Sequence, residues 1–370
     1  MKKTLYLSIL AATLLGGQVF AAEVIPTKLD GATDTGTNTY SGQKVTGSGE
    51  AKEANVTIYA DNAGIDCTKI TVYGGWSTKG AANNNTVTMT GGLVKSLYGG
   101  KAQNDATGNT VTISNAQVTS TVYGGSGGTD ISKNSLIMTG STVQSNVYGG
   151  HSTETGAVVK ENTVIVAGNS TVSSAIHGGY SSHGDAIDNK VYLVGTGATA
   201  TIEGVQYTGG ALTMKHVYAG TVTEEEGEST GNSVDIYGTG ITASGHVEDM
   251  QVLNFHISQN QIGGEDSMLT LTKYGMDLNN VAIGIHDVDV QAWTPGTTVT
   301  LVQAAKVITG IESGQEVDIK RGDQVVIQGQ LVLSDDKMTL SLSIPGSVPE
   351  PTTGTLGLLA LAGLCIRRRK

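Results

Sequence analysis

An aromatic ring followed by two small residues returns along this chain at a nearly fixed interval. Tyr73-Gly74-Gly75, Tyr98-Gly99-Gly100, Tyr123-Gly124-Gly125 and Tyr148-Gly149-Gly150 lie 25 residues apart, and His177-Gly178-Gly179 follows after 29. Tyr218-Ala219-Gly220 is a looser copy. A second mark, Asn then Thr, Ser or Lys then an aliphatic, keeps step: Asn85-Thr86-Val87, Asn109-Thr110-Val111, Asn134-Ser135-Leu136, Asn162-Thr163-Val164, Asn189-Lys190-Val191 and Asn232-Ser233-Val234. A period of this size means a repeat array, in which no unit buries its apolar face alone and each leans on its neighbours.

Alternation inside the unit predicts strands. Val87/Met89, Val111/Ile113, Leu136/Met138, Val164/Val166, Val191/Leu193 and Val234/Ile236 share one face of a first strand. Val118/Ser120/Val122, Val143/Ser145/Val147 and Val172/Ser174/Ile176 share one face of a second, just ahead of the aromatic. Between Pro26 and Pro295 there is no proline, which suits unbroken β-ladders. The fold class expected is all-β: a parallel β-solenoid (β-helix) of about 25-residue repeats over 54–246, followed by a β-rich C-terminal cap. A stack of antiparallel hairpins fits the same alternation. In the solenoid the asparagines would stack as an amide ladder at a turn where Asn takes left-handed φ, with Gly-Gly at the opposite corner. Lys95 is the misfit, falling where neighbouring units place Ser. The repeats resemble those of autotransporter-type and adhesin passengers, over about half of the chain; that resemblance implies a β-helix and leaves the activity open.

The repeat marks stop near Val247. Alternating stretches such as Met268–Thr272, Thr298–Val302 and Lys337–Leu342 replace them, so 247–344 reads as the module that caps the open solenoid end, and 23–53 as a lead-in or N-terminal cap.

Both ends carry addresses. Lys2-Lys3, an apolar run from Leu5 to Leu15 and the small residues around Ala21 predict a secretory signal peptide over 1–22. At the other end, 345–370, Val348-Pro349-Glu350-Pro351 precedes an apolar run from Gly354 to Ile366 and then Arg367, Arg368, Arg369 and Lys370. The prolines hold an extended, accessible approach; the apolar run prefers lipid; the cations stay on the cytoplasmic side. This layout resembles the PEP-CTERM sorting tail, which implies recognition by an exosortase-type processing enzyme of Gram-negative bacteria. The run is expected as a short transmembrane helix before processing, although its 13 residues span about 20 Å against ~30 Å of hydrocarbon.

Without both ends, 16 cations face 33 acids, a net charge near −17 that argues against nucleic acid or anionic lipid as a partner. Cys67 is then the lone cysteine, so no intrachain disulfide is expected. Candidate catalytic carboxylates (Asp61, Asp66, Asp105, Asp130, Glu154, Asp185, Asp188 and Glu224–Glu226) fall in loops at shifting offsets, as solvated turn residues do. The histidines show no metal-ligand spacing, although His151 and His183 could share a face with Asp185. No catalytic residue, metal or cofactor is assigned, and the chain is not expected to be an enzyme.

The binding candidates are the ring series Tyr73, Tyr98, Tyr123, Tyr148 and His177. If Val122, Val147 and Ile176 point inward, the rings point outward, either to stack on sugar rings or a partner, or to stack on one another. A second outward row, Thr88, Thr112, Ile137, Ile165, Tyr192, turns apolar toward its middle and is a modest partner-contact candidate. The expected function is a secreted surface or extracellular-matrix solenoid, structural or adhesin-like, sorted through its tail and in contact with polysaccharide or other surface proteins. The alternatives are a β-helical polysaccharide lyase or hydrolase and a spacer without a ligand.

Overall fold

A computed structural model describes residues 26–224 and 227–345; the signal-peptide and sorting-tail readings lie outside the described residues. The chain is almost wholly β and winds into a parallel solenoid of about 9 turns. Each turn of the repeat region contributes a first flank such as Thr86–Thr90, a two-residue second flank such as Leu93–Val94, and a third such as Ser96–Lys101 that ends in the aromatic-Gly-Gly mark. Equivalent flanks pair in parallel and in register. Val87, Val111, Leu136 and Val164 stack in one column, and Leu97, Val122, Val147 and Ile176 in another. These columns are fully buried, and burying each aliphatic side chain contributes about 1.5–3 kcal/mol. The hairpin-stack alternative is thereby excluded for the repeats.

The second flank and the third are not one strand. A bend separates Val118 from Val122, so both point inward across a corner rather than by strict alternation. Lys95 occupies that bend and is exposed, which is how the array tolerates a lysine there.

The asparagines do form a ladder. Nδ2 of Asn85 donates to Oδ1 of Asn109 at 2.9 Å, and the same bond recurs from Asn109 to Asn134, Asn134 to Asn162, Asn162 to Asn189 and Asn189 to Asn232 at 2.9–3.0 Å. Each of these oxygens also accepts the main-chain N–H of the preceding ladder asparagine. All are buried, so a buried polar column is stabilising only because it is saturated. The expected left-handed turn belongs to the residue before: Asn84, Lys133, Glu161 and Asp188 have φ of 53–55°, with Gly108 and Gly231 in the same place.

Gly-Gly is not the opposite corner either. It lies within the third flank, facing the ladder across the interior. A Cβ on Gly100, Gly125 or Gly179 would come within 2.5 Å of the amide of Asn109, Asn134 or Asn189. The second glycine leaves the volume the carboxamide fills. The first lies against the next rung, where a Cβ on Gly74, Gly99, Gly124, Gly149 or Gly178 would come within 2.5 Å of a main-chain carbonyl oxygen, and only the last copy of the mark carries alanine, Ala219.

Parallel stacking does not stop where the repeat marks stop. Ser233–Tyr237 pairs in parallel with Val252–Ile257, that strand with Ala282–Asp287, and Ala282–Asp287 with Gln315–Arg321. Only then do Gln324–Leu333 and Thr339–Ser343 fold back antiparallel and close the end. At the other end, Thr27–Asp30 pairs antiparallel with Asn55–Ala60, while Thr39–Val45 already joins the solenoid beside Thr71–Ser77.

The second outward row is not a free patch. Thr199–Ile202 and the start of Val205–Val222 form a hairpin whose Ala200, Ile202 and Tyr207 cover Ile165, Ala167 and Val194, with Ile137 and Tyr192 at the margin. The chain covers its own apolar segment.

Candidate functional site

The ring series forms a continuous stack on the outer face of the third flank. Ring centroids lie 4.8 Å apart from Tyr73 to Tyr98, 4.4 Å from Tyr98 to Tyr123, 5.2 Å from Tyr123 to Tyr148, 4.7 Å from Tyr148 to His177 and 4.9 Å from His177 to Tyr218. Parallel pairing in register imposes the spacing, since the rungs repeat at about 4.8 Å. Tyr73, Tyr148 and His177 are buried by their neighbours, whereas Tyr98 and Tyr123 stay half-buried. Ring faces are therefore spent on one another, and only edges are left for a ligand.

A second outward row, three residues further along each rung, was not singled out from the sequence because its members differ in kind. It runs Lys44, Trp76, Lys101, Ser126, His151, Tyr180. Trp76 stacks on Tyr73 at 5.0 Å with Lys44 Nζ 4.1 Å from its ring centre. His151 stacks on Tyr180 at 5.1 Å and meets Tyr148 edge-on at 4.8 Å. Two layers of rings thus seal most of the face. The fixed offset from the aromatic was the signal that would have found them.

The seal is broken at one place. Ser126 stands where its neighbours carry large side chains, and the two glycines that follow it, Gly127 and Gly128, add no bulk. A groove of about 300 Å³ opens there, floored by Tyr98 and Tyr123 and bordered by Lys101, Gln103, His151 and Glu154. Lys101 Nζ sits 5.3 Å from the centre of the Tyr98 ring. Burial pushes the Tyr98 phenol above its ordinary pKa and the Tyr148 phenol up to about 12, so both remain hydroxyl donors. Burial, with Lys101 nearby, lowers His151 to about 4, and burial with His151 and His216 lowers His177 to about 3; both are neutral rings near pH 7. The groove offers hydroxyls, a carboxamide, one cation, one carboxylate and aromatic edges.

The loop carboxylates do not converge. Asp105 accepts the main-chain N–H of Asp130, Asp185 that of Glu228 and Asp61 that of Ala63. Asp188 occupies the left-handed position before the ladder. His183 is exposed, level with Thr155, while His151 pairs with Tyr180, so the His151–His183–Asp185 grouping is not assembled. Among the described residues no group of three or more His, Cys, Asp or Glu side chains could hold a metal ion. No helix among them is long and apolar enough to cross a membrane.

One polar cluster was missed. Asp235, buried on the outer side of the first flank, accepts from His256 Nε2 at 2.9 Å, Asn254 Nδ2 at 2.9 Å and Ser233 Oγ at 3.1 Å. His256 stacks on Tyr237 at 3.9 Å, and both line a groove of about 360 Å³. Its members come from two successive rungs, 19–21 residues apart, so nothing local in the sequence joins them.

Fold and faces together define a parallel β-solenoid with a ring-stacked outer surface. Residues 347–370 match the family model of the PEP-CTERM protein-sorting motif. That motif implies processing by an exosortase and export to the surface of a bacterium. No curated protein and no solved structure matches the chain.

Proposed function

We propose that this protein is a non-catalytic component of the bacterial surface or extracellular matrix, delivered through its sorting tail and holding polysaccharide in the groove at Ser126. The break in the outer row carries this reading. Tyr98 and Tyr123 present aromatic edges and hydroxyls beside Lys101, Gln103 and Glu154, the mixture of apolar surface and a few placed polar groups that a sugar requires. The size of the groove suits one sugar unit of a longer chain lying across the solenoid. Stacking among the rings keeps the floor rigid, so little entropy is lost on binding.

Co-sedimentation with exopolysaccharide isolated from the host's own matrix tests the reading. Wild type should be retained, and Ser126→Tyr, which fills the groove with the residue type that Tyr180 places at the same position two rungs on, should abolish retention with the fold intact. Equal retention of both proteins refutes it. Terminal-peptide mass spectrometry of protein from the native envelope tests the delivery: a C-terminus near Glu350 is expected, and an intact Lys370 would rule out exosortase processing.

A second reading, a polysaccharide-active enzyme, is favoured by one observation, the carboxylate-held His256 beside its groove. Reducing-end or unsaturated-product release that disappears in His256→Gln would support it over the first.

A further inference from the structure

Beyond the hairpin that covers Ile165, the outward side of the first flank becomes a column of polar rings. Ser233–Tyr237, Val252–Ile257 and Ala282–Asp287 pair in parallel, which sets Tyr237, His256 and His286 one above another. His256 is sandwiched, 3.9 Å from Tyr237 and 4.7 Å from His286. The neighbouring column reads Asp235, Asn254, Gly284. Asp235, its side chain 9% exposed, accepts from His256 Nε2 and Asn254 Nδ2 through one oxygen and from Ser233 Oγ through the other. Asn254 Oδ1 then meets His286 Nε2 at 3.3 Å, and a Cβ on Gly284 would lie 2.1 Å from that same oxygen. A carboxylate at Nε2 fixes that nitrogen as the donor, so the neutral His256 ring keeps Nδ1 as an acceptor.

His256 and Tyr237 line the groove of about 360 Å³ that lies between the hairpin base at Gly197 and the segment 258–260. Most polar hydrogens around it are spent within the protein. Besides the bonds to Asp235, Asn260 Nδ2 donates to Gly197 O at 2.7 Å and Ser258 Oγ to Gln261 Oε1 at 2.8 Å. The Gln259 N–H holds one oxygen of the exposed Asp289 carboxylate at 2.7 Å, which leaves the other oxygen for a ligand. Burial, then Asp235, raises the Tyr237 phenol above its ordinary pKa, so it stays an uncharged hydroxyl. The groove therefore presents an imidazole nitrogen, a carboxylate oxygen and a phenol oxygen as acceptors. Among the described residues no lysine or arginine lines it, so Asp289 has no counter-charge there. No set of three metal-binding side chains forms among those residues either. The complement is a cation that donates hydrogen bonds, and a primary ammonium has three donors for the three acceptors.

We propose that this groove binds a primary ammonium group, carried by an amino sugar or by a polyamine, with its N–H bonds directed at His256 Nδ1, the Asp289 carboxylate and the Tyr237 hydroxyl. The groove belongs to the first flank and the Ser126 groove to the third, so the two sites are independent, and binding here requires no bond cleavage. Calorimetric titration of the full-length protein at neutral pH tests it, with glucosamine, putrescine, N-acetylglucosamine, glucose and choline as probes. Glucosamine, putrescine or both should bind, and which of them does identifies the source of the amine. N-acetylglucosamine and glucose, which lack the charge, and choline, whose nitrogen has no N–H, should bind at least about tenfold more weakly. Asp289→Asn, which keeps the oxygen that holds the Gln259 N–H, should weaken amine binding about tenfold with an unchanged melting temperature. Ser126→Tyr should bind as wild type does. No binding of either amine, equal binding of choline or N-acetylglucosamine, or undiminished binding by Asp289→Asn overturns the proposal. Loss in Ser126→Tyr would assign the amine to the aromatic face and overturn it equally.

Discussion

His177 is the one imidazole built into a column of phenols, and it should make the solenoid acid-sensitive. It is sandwiched between Tyr148 and Tyr218, 6% exposed, with Nδ1 3.0 Å from Thr221 Oγ1. Burial first, then His151 and His216, lower its pKa from 6.5 to about 3. A histidine depressed in the folded state binds its proton more readily when unfolded. Its contribution is therefore complete above about pH 6.5 and is lost as pH falls toward about 3. At 1.36 kcal/mol per pKa unit the full loss is on the order of 5 kcal/mol, much of the stability of a typical domain. Carboxylates titrate across the same window, so the useful quantity is a difference. His177→Tyr, which completes the phenol column, should show the wild-type value shifted by a constant near pH 7.5 and gain on wild type steadily below pH 6. Urea unfolding at pH 7.5, 6, 5 and 4 measures it. If the gap between the two proteins is the same at pH 7.5 and pH 4, the neutral-histidine argument is wrong.

Removing one amide from the ladder should cost more than an average buried side chain. Asn134→Ala leaves Asn109 Nδ2 without its ladder acceptor and strips Ala106 O of its donor, a loss of about 3 kcal/mol readable by calorimetry. Gly100→Ala forces a methyl against the Asn109 amide and should destabilise by about 1–3 kcal/mol, whereas substitution of the first glycine in the last rung is already present as Ala219. In the closing segment, the Asp287 carboxylate is fully buried and accepts from Trp293 Nε1 at 2.7 Å, Arg321 Nη2 at 2.9 Å and Val290 N at 2.9 Å. Asp287→Ala should cost about 3 kcal/mol and show as early hydrogen exchange confined to the last rungs.

The repeats were legible because a column of identical contacts must write the same residue at the same interval: Val87, Val111 and Leu136 report the core, and Asn85, Asn109 and Asn134 the ladder. What the interval could not tell was which backbone each residue adopts. Asn109 and Gly108 are neighbours, and only the folded rung shows that the left-handed turn is at the latter. The corner expected at Gly-Gly is not there: the second glycine is small against an amide across the interior, and the first is small against the carbonyl of the next rung. The change at Val247 was real in the marks but not in the winding. The ladder ends there on Gln251, whose Oε1 takes over from asparagine by accepting Asn232 Nδ2 at 3.3 Å, and aliphatic columns continue without it. The hairpin over Ile165 was illegible because its partners are contributed by separate rungs. The groove at Ser126 was hidden for a simpler reason: it is defined by a side chain that is smaller than its neighbours.

The ladder also gives the molecule a direction. Every carboxamide in it gives one N–H to a main-chain carbonyl of the rung before it, while the amide-to-amide bonds all run toward the rung that comes later in the chain. A completed rung thus displays an unmet donor until its successor arrives, and each successor supplies the acceptor while presenting the next donor. Closure comes only with Gln251. Six asparagines are thus aligned head to tail, and a rung that lacked an acceptor at this position would leave an amide donor of the rung before it unmet.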